Sequence, residues 1–166
     1  GIITTDSEEH YEKLVIYRNM GLKSRDNCVV WSSNSRLDSM QAAILLVKLN
    51  YLRAWTEKRR QNAAFYRNAL TEVSEMRVPD ELSYEKAVYH TFVIQTDHRN
   101  ELKTFLEKNG VGTSIHYPVP IHLQRAAAGL GYGPGSFPVA EQQAKQILSL
   151  PVYHNLTHKN LERVVD

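Results

Sequence analysis

Two histidines, a tyrosine and two prolines crowd one stretch of this chain, His116-Tyr117-Pro118-Val119-Pro120-Ile121-His122-Leu123-Gln124. Imidazole and phenol both donate and accept hydrogen bonds, and both stack on flat ligands. Pro118 and Pro120 fix φ and hold the residue before each of them extended, so the stretch is stiff and non-helical. Such a loop suits the presentation of donors to a ligand. By composition alone the plainer reading is a loop whose rings pack the prolines. A zinc reading fails on spacing: His116 and His122 lie six positions apart with prolines between them, off any common helical face.

A second cluster is Ser32-Ser33-Asn34-Ser35-Arg36-Leu37-Asp38-Ser39-Met40-Gln41-Ala42-Ala43. Small polar residues run into an apolar helix start, where free backbone N–H groups, the Asn34 amide and the Arg36 guanidinium suit an anion such as phosphate. The same pattern satisfies simple N-capping by Asp38 or Ser35, with Asn34 bonded to its own turn.

The remaining features are plainer. Lys58-Arg59-Arg60 follows Glu57 in a helical segment and reads as a solvated helix face. The glycine-rich run from Gly129 to Gly135 follows a helix, whereas a phosphate cradle follows a strand. Cys28 has no activating base nearby in sequence and reads as buried filler. No nucleophile–base pair and no metal site is legible from the residues alone.

These groups must be positioned by elements whose rhythm is readable. Asp6-Ser7-Glu8-Glu9 has the form of a helix start, and Tyr11, Leu14, Val15 and Arg18 continue it to a stop near Gly21. Residues 28–31 form a candidate short strand. Residues 38–72 contain no Gly or Pro and read as a long helix with a bend or break near Trp55, where the apolar face changes. Strands are expected at 88–95, 111–115 and 148–151, and helices at 99–109, 121–130, 137–147 and from Thr157 onward.

The totals set the class. The chain has 166 residues, 42% hydrophobic and 23% charged, which is the composition of a folded domain with a real core. No apolar run approaches the roughly 18–20 residues of a spanning helix. A formal charge of +2 gives no argument for nucleic acid or an anionic membrane. The single cysteine excludes an internal disulfide and fits a cytoplasmic setting. The opening β-branched run has no turn before it, and the last residues sit inside an amphipathic helix, so the chain is expected to be part of a longer protein.

Taken in order, these segments resemble the DegT/DnrJ/EryC1/StrS family of pyridoxal-phosphate-dependent nucleotide-sugar aminotransferases. Gly1-Ile2-Ile3-Thr4-Thr5-Asp6 reads like the family's Gly-Gly strand, and Arg18-Asn19-Met20-Gly21 like its Arg-Asn-x-Gly segment. Residues 34–43 match Asn-x-Arg-(Leu/Met)-x-x-x-Gln-Ala-Ala, and Lys58-Arg59-Arg60 matches a Lys-Arg-Arg. The His-Tyr-Pro stretch follows, then Leu130-Gly131-Tyr132, Phe137-Pro138-Val139-Ala140-Glu141 and Leu148-Ser149-Leu150-Pro151. Met20 departs from the His that many members carry, so no role is carried to that position.

The resemblance implies an α/β fold: the C-terminal portion of a fold-type-I pyridoxal-phosphate transferase, a long helix followed by a small α+β domain. Residues 1–50 would be the terminal part of the large cofactor-binding domain and residues 51–166 the small C-terminal domain. It implies a homodimer with shared active sites, acting on glutamate and a nucleotide-linked keto sugar. Asn34 would reach the phosphate of pyridoxal 5'-phosphate in the neighbouring subunit. Arg36, His116 and Tyr117 would line the sugar-nucleotide side of that site. The family's Schiff-base lysine, and the acid that keeps the cofactor ring an electron sink, would both lie before Gly1. The chain alone is therefore expected to be inactive and to supply no catalytic residue and no metal ligand. Two other readings stay open: the family's dehydratase branch, where histidine replaces that lysine, and a non-catalytic module for dimerisation or ligand binding.

Overall fold

The computed structural model describes residues 1–166, which divide into two compact units, Gly1–Asn50 and Tyr51–Asp166.

In the first unit, Ser7 caps α1 (Glu8–Tyr17): its hydroxyl accepts the His10 N–H at 3.3 Å. Glu8 and Glu9 add negative charge at the positive end of the helix dipole. Met20 and Gly21 then turn the chain through positive φ, 59° and 73°. Glycine is required there, because a Cβ on Gly21 would stand 1.6 Å from the Val30 carbonyl oxygen. β1 (Leu22–Ser24) and β2 (Asn27–Cys28) form a small antiparallel hairpin. α2 (Ser39–Leu49) starts at a capping box: Asp38 accepts the Met40 N–H at 2.8 Å, and Gln41 reaches back to the Asp38 N–H.

This unit buries no apolar side chain. α2 exposes Met40, Ile44, Leu45, Leu46, Val47 and Leu49, an apolar surface on more than one side of the helix. Residues 1–5 do not form the expected strand, and Ile2 stands 89% exposed. A strand needs a neighbouring backbone to complete its ladder, and no strand of the structure pairs with this run. Cys28 is exposed, not buried: its thiol lies 3.4 Å from the Val30 carbonyl oxygen at the hairpin surface.

The second unit holds the core. The helical run expected over 38–72 is interrupted at Asn50 and Tyr51, a few residues before the anticipated position, and α3 (Leu52–Leu70) follows. β3 (Phe92–Gln95) pairs antiparallel with β4 (Ile147–Leu150), Phe92 opposite Leu150 and Gln95 opposite Ile147. Single bridges extend this ribbon, Arg77 with Gln95 on one side and Ser114 with Ser149 on the other. Against it pack α3, α4 (Arg99–Lys108) and α6 (His158–Val165), with Tyr66, Leu70, Phe92, Ile94, Leu106, Leu148 and Leu161 in one buried cluster. Each fully buried side chain of this size stabilises by about 1.5–3 kcal/mol.

Three expected elements are shorter than their patterns suggest. Tyr89 sits at φ 46°, outside strand geometry, so β3 cannot begin before it. Residues 111–115 contribute only the Ser114 bridge. In place of a helix over 121–130 there are two 3-10 turns, Ile121–Leu123 and Arg125–Ala127, separated by extended Gln124 at ψ 145°. α5 (Pro138–Gln146) carries its proline in the first turn, where the missing N–H costs nothing. Thr157 caps α6 as expected, and Arg163 donates through Nη2 to the Asn109 carbonyl at 2.8 Å, closing the end of α4 before Gly110. No helix is long and apolar enough to cross a membrane.

Candidate functional site

In the second unit the His-Tyr-Pro stretch leaves the ribbon directly after the Ser114 bridge. His116 Nδ1 lies 2.8 Å from the hydroxyl of Ser149, a buried residue of β4. The His116 ring stands edge-on to Tyr117 at 5.5 Å. Tyr117 itself is 74% exposed, its phenol free of any partner within the chain. His122 is a different case: only 8% of its side chain is exposed, and Nε2 lies 2.9 Å from Glu141 Oε1. The Phe137 ring meets His122 edge-on at 4.8 Å, and Tyr132 meets Phe137 at 5.2 Å.

These groups border an open cavity of about 640 Å³, with His116, Tyr117, Val119, His122, Tyr132 and Phe137 among its walls. The walls are mostly aromatic and aliphatic, with a few polar groups, the pattern of a site for an amphipathic ring-bearing ligand. The Glu141 carboxyl is held below the usual carboxylate range, first by the Gly135 N–H and then by His122. Its oxygens accept from Gly135 N at 2.8 and 3.0 Å and from Phe137 N at 3.3 Å.

The other cluster lies wholly within the first unit. Asn34 Oδ1 accepts from the Arg36 N–H at 3.4 Å and from its Nε at 3.1 Å. Arg36 Nη1 donates to Asn19 Oδ1 at 2.8 Å, and the Asn19 and Asn34 backbones form an antiparallel bridge. Ser35 N donates to the Arg18 carbonyl at 2.9 Å. This side-chain and backbone lacing ties residues 33–36 to the end of α1. Because Asp38 takes the α2 cap, the helix start itself presents a carboxylate and repels anions. Asn34 Nδ2 and Arg36 Nη2 remain unpaired, both on exposed residues. Arg36 lines a hollow of about 910 Å³ with Arg18, Ser33 and Ser35. An amide and a guanidinium are the donor types that take a phosphate. No group of His, Cys, Asp and Glu residues is gathered to hold a metal ion.

The basic triplet departs from its expected role. Arg59 and Arg60 are half-buried: Arg59 Nη1 donates to the Tyr89 carbonyl at 3.1 Å, and Arg60 Nη1 reaches Glu81 Oε1 and the Ala87 carbonyl, each at 2.6 Å. They brace a loop 21 to 30 positions away in sequence, a contact that no local pattern announces. Ser149 and Glu141 were likewise not legible as site residues. The polar Ser149 inside Leu148-Ser149-Leu150 was one signal available, and the carboxylate at the end of Phe137-Pro138-Val139-Ala140-Glu141 was another.

Known proteins match along the same length. The family model of the DegT/DnrJ/EryC1/StrS aminotransferase family covers residues 1–166. A pleiotropic regulatory protein of Geobacillus stearothermophilus is 42% identical over 100% of this chain and 45% of its own length. A dTDP-3-amino-3,4,6-trideoxy-alpha-D-glucose transaminase of Streptomyces venezuelae is 37% identical over 100% of this chain and 44% of its own length. Among solved structures, S. venezuelae DesV in complex with a ketimine intermediate superimposes with a TM-score of 0.86 at 37% identity, over 98% of this chain and 44% of that one. A DegT DnrJ EryC1 StrS aminotransferase from Brucella abortus gives 0.82 at 30% identity, over 97% and 43%. The chain thus spans less than half the length of the relatives it matches, and its fold is that of the corresponding portion of these aminotransferases. With residues 1–166 all inside the family match, the chain belongs to the DegT/DnrJ/EryC1/StrS aminotransferase family.

Proposed function

We propose that this chain is the C-terminal portion of a cytoplasmic, homodimeric, pyridoxal-phosphate-dependent aminotransferase that moves an amino group from glutamate to a keto sugar carried on a nucleotide. The observation that carries the reading is the uninterrupted match of the whole chain to a sugar transaminase at 37% identity. A second relative, of Acidithiobacillus ferrooxidans and 34% identical, is named a UDP-N-acetyl-3-dehydro-alpha-D-glucosamine 3-aminotransferase. The two names share a nucleotide-linked sugar with nitrogen at position 3, which makes 3-keto sugars the first substrates to try. On this reading residues 1–50 belong to the large cofactor-binding domain and residues 51–166 to the small one.

The residues of this chain fit a phosphate-bearing cofactor in donor chemistry, since Asn34 Nδ2 and Arg36 Nη2 carry N–H groups that no other residue of the chain accepts. Bound pyridoxal phosphate supplies the electron sink for breaking a bond next to nitrogen. The work of this chain is binding and orientation. Asn34 donates to the cofactor phosphate. Arg36 adds positive charge for the sugar nucleotide, held in place through Asn19 and Asn34. The Tyr117 hydroxyl and the His116 ring face the sugar nucleotide, His116 kept in one orientation by Ser149.

The test is an assay of the full-length gene product with glutamate and a panel of dTDP- and UDP-linked 3-keto and 4-keto sugars, read by mass spectrometry for the amino sugar nucleotide. Amino transfer supports the reading. Loss of a sugar hydroxyl without gain of nitrogen overturns it in favour of the dehydratase branch. Residues 1–166 alone are expected to give no transfer, and turnover by them would contradict the placement of the reactive lysine before Gly1.

A further inference from the structure

We infer that Glu141 is a positioning residue for the sugar-nucleotide side of the site, acting through His122 to fix the far end of the loop that presents Tyr117. The inference rests on the functional reading above and assigns a role to a pair which that reading leaves unused.

The loop between the two histidines is anchored almost only at its ends. His116 holds the first end through Ser149. From Tyr117 to Ile121 the one side-chain tether is Gln124 Nε2 to the Val119 carbonyl at 3.2 Å, local to the loop itself. The second end is held by His122 against Glu141 at 2.9 Å, with 8% and 18% of the two side chains exposed. Glu141 is in turn fixed by three backbone donor contacts from Gly135 and Phe137, and the Phe137 ring closes on the imidazole. One carboxylate thus joins three pieces of chain: the loop end at His122, the glycine-rich turn at Gly135, and the first turn of α5. His122, Phe137 and Tyr132 are walls of the same cavity that Tyr117 borders, so slackening the carboxylate moves both the walls and the presented phenol.

A charged hydrogen bond at low exposure is strong and directional. Removing its charge leaves the imidazole and two backbone N–H groups with a poorer acceptor. A loosened loop binds its ligand less tightly without touching the chemistry elsewhere, so the loss falls on affinity.

The experiment uses the full-length enzyme with glutamate saturating and the sugar nucleotide varied. Glu141→Gln is expected to raise KM for the sugar nucleotide about tenfold, with kcat held within about twofold. The glutamate half-reaction, read as the absorbance change of the cofactor to its amino form, is expected to proceed at the wild-type rate. His122→Leu is expected to raise KM in the same way while keeping the Gly135 and Phe137 bonds, so it carries the test if Glu141→Gln does not fold. His122→Gln retains a donor toward Glu141 and is expected to restore most of the affinity that leucine loses. An equal loss in both half-reactions, or an unchanged KM in Glu141→Gln and His122→Leu, overturns the inference. An inactive wild-type enzyme fails the functional reading and this inference with it; an active wild-type enzyme with unshifted variants fails the inference alone.

Discussion

The Arg60 guanidinium lies 2.6 Å from Oε1 of Glu81, across 21 positions of sequence, and this pair anchors the loop that leads into β3. Glu81 also accepts the Tyr89 hydroxyl at 2.8 Å and the Ala87 N–H at 2.9 Å, while Arg67 stands 3.6 Å away. Only 9% of the Glu81 side chain is exposed, so each of its partners is needed to satisfy a nearly enclosed charge. The loop from Val78 to His90 has no regular secondary structure of its own, and the carboxylate substitutes for it.

The Arg60 guanidinium, with Tyr89 and the Ala87 N–H, holds the Glu81 carboxyl down to about 2. Its value in the unfolded chain is about 4.3. A folded-state value below the unfolded one gives stability that is complete above the unfolded value and is lost as pH falls through the folded one. The chain is therefore expected to lose stability between about pH 5 and pH 2. Glu81→Gln should lower the denaturation midpoint at neutral pH and flatten this acid limb. Denaturant melts of both proteins at a series of pH values read the result; parallel acid limbs would contradict it.

Tyr66 is fully buried, and its hydroxyl donates to the Pro151 carbonyl at 2.8 Å. Burial pushes this phenol up from its ordinary value. The sign is opposite to that of Glu81: the stability is present below about pH 10 and lost as pH rises above it. Tyr66→Phe keeps the ring and leaves the carbonyl without its donor, at a cost of about 1 kcal/mol. It should also be less sensitive to alkali than the parent, which thermal melts between neutral and alkaline pH would measure. Phe92→Ala, which opens a cavity against the same ring, is expected to cost about 3–5 kcal/mol.

Local signals in the sequence are realised where local physics decides. Ser7, Asp38 and Thr157 cap their helices because a short polar side chain beside free N–H groups needs no distant partner. Pro138 opens α5 and Gly110 follows α4 for reasons equally local. What depends on a neighbour is not legible. Residues 1–5 and 111–115 have β-branched composition, but the first run pairs with no strand and the second is paired only at Ser114. Arg59 and Arg60 look solvated from their own helix, and only folding brings Glu81 and the Tyr89 carbonyl to them. The candidate residues, taken unit by unit, divide along the same line. Asn34, Arg36, His116 and Tyr117 announce themselves by type and order, whereas Ser149 and Glu141 act by reaching residues 33 and 19 positions away.

On the proposed function, the Asn34–Arg36 cluster should show a separation of two effects in the full-length enzyme. Asn34→Ala removes both the free Nδ2 donor and the acceptor that orients Arg36, so retention of pyridoxal phosphate should fall by about tenfold. Arg36→Lys keeps the charge and loses the planar fork that bonds Asn34 and Asn19 together, and it should weaken sugar-nucleotide binding more than cofactor retention. Cofactor absorbance after dialysis reads the first effect, and KM for the sugar nucleotide reads the second. Equal losses of both quantities in both variants would show that the cluster acts only as a structural tie.

On the proposed function, Tyr117 should separate binding from stability most cleanly. At 74% exposure with no hydrogen-bond partner within the chain, its side chain contributes little to folding, and substitutions there should stay within about 0.5 kcal/mol. Its neighbours explain why it is nonetheless held: His116 is tied to Ser149, and Pro118 restricts the Tyr117 backbone to extended geometry. A stiffly mounted and unpartnered phenol loses little freedom when a ligand takes its hydroxyl, so the bond formed goes largely into affinity. Tyr117→Phe is expected to raise KM for the sugar nucleotide several-fold, by the loss of one neutral hydrogen bond of about 1 kcal/mol. Tyr117→Ala should raise it further, because the ring face is lost as well. Thermal midpoints of all three proteins should coincide. A drop in midpoint for Tyr117→Phe, or a wild-type KM in Tyr117→Ala, would mean that the phenol packs the loop and does not meet the substrate.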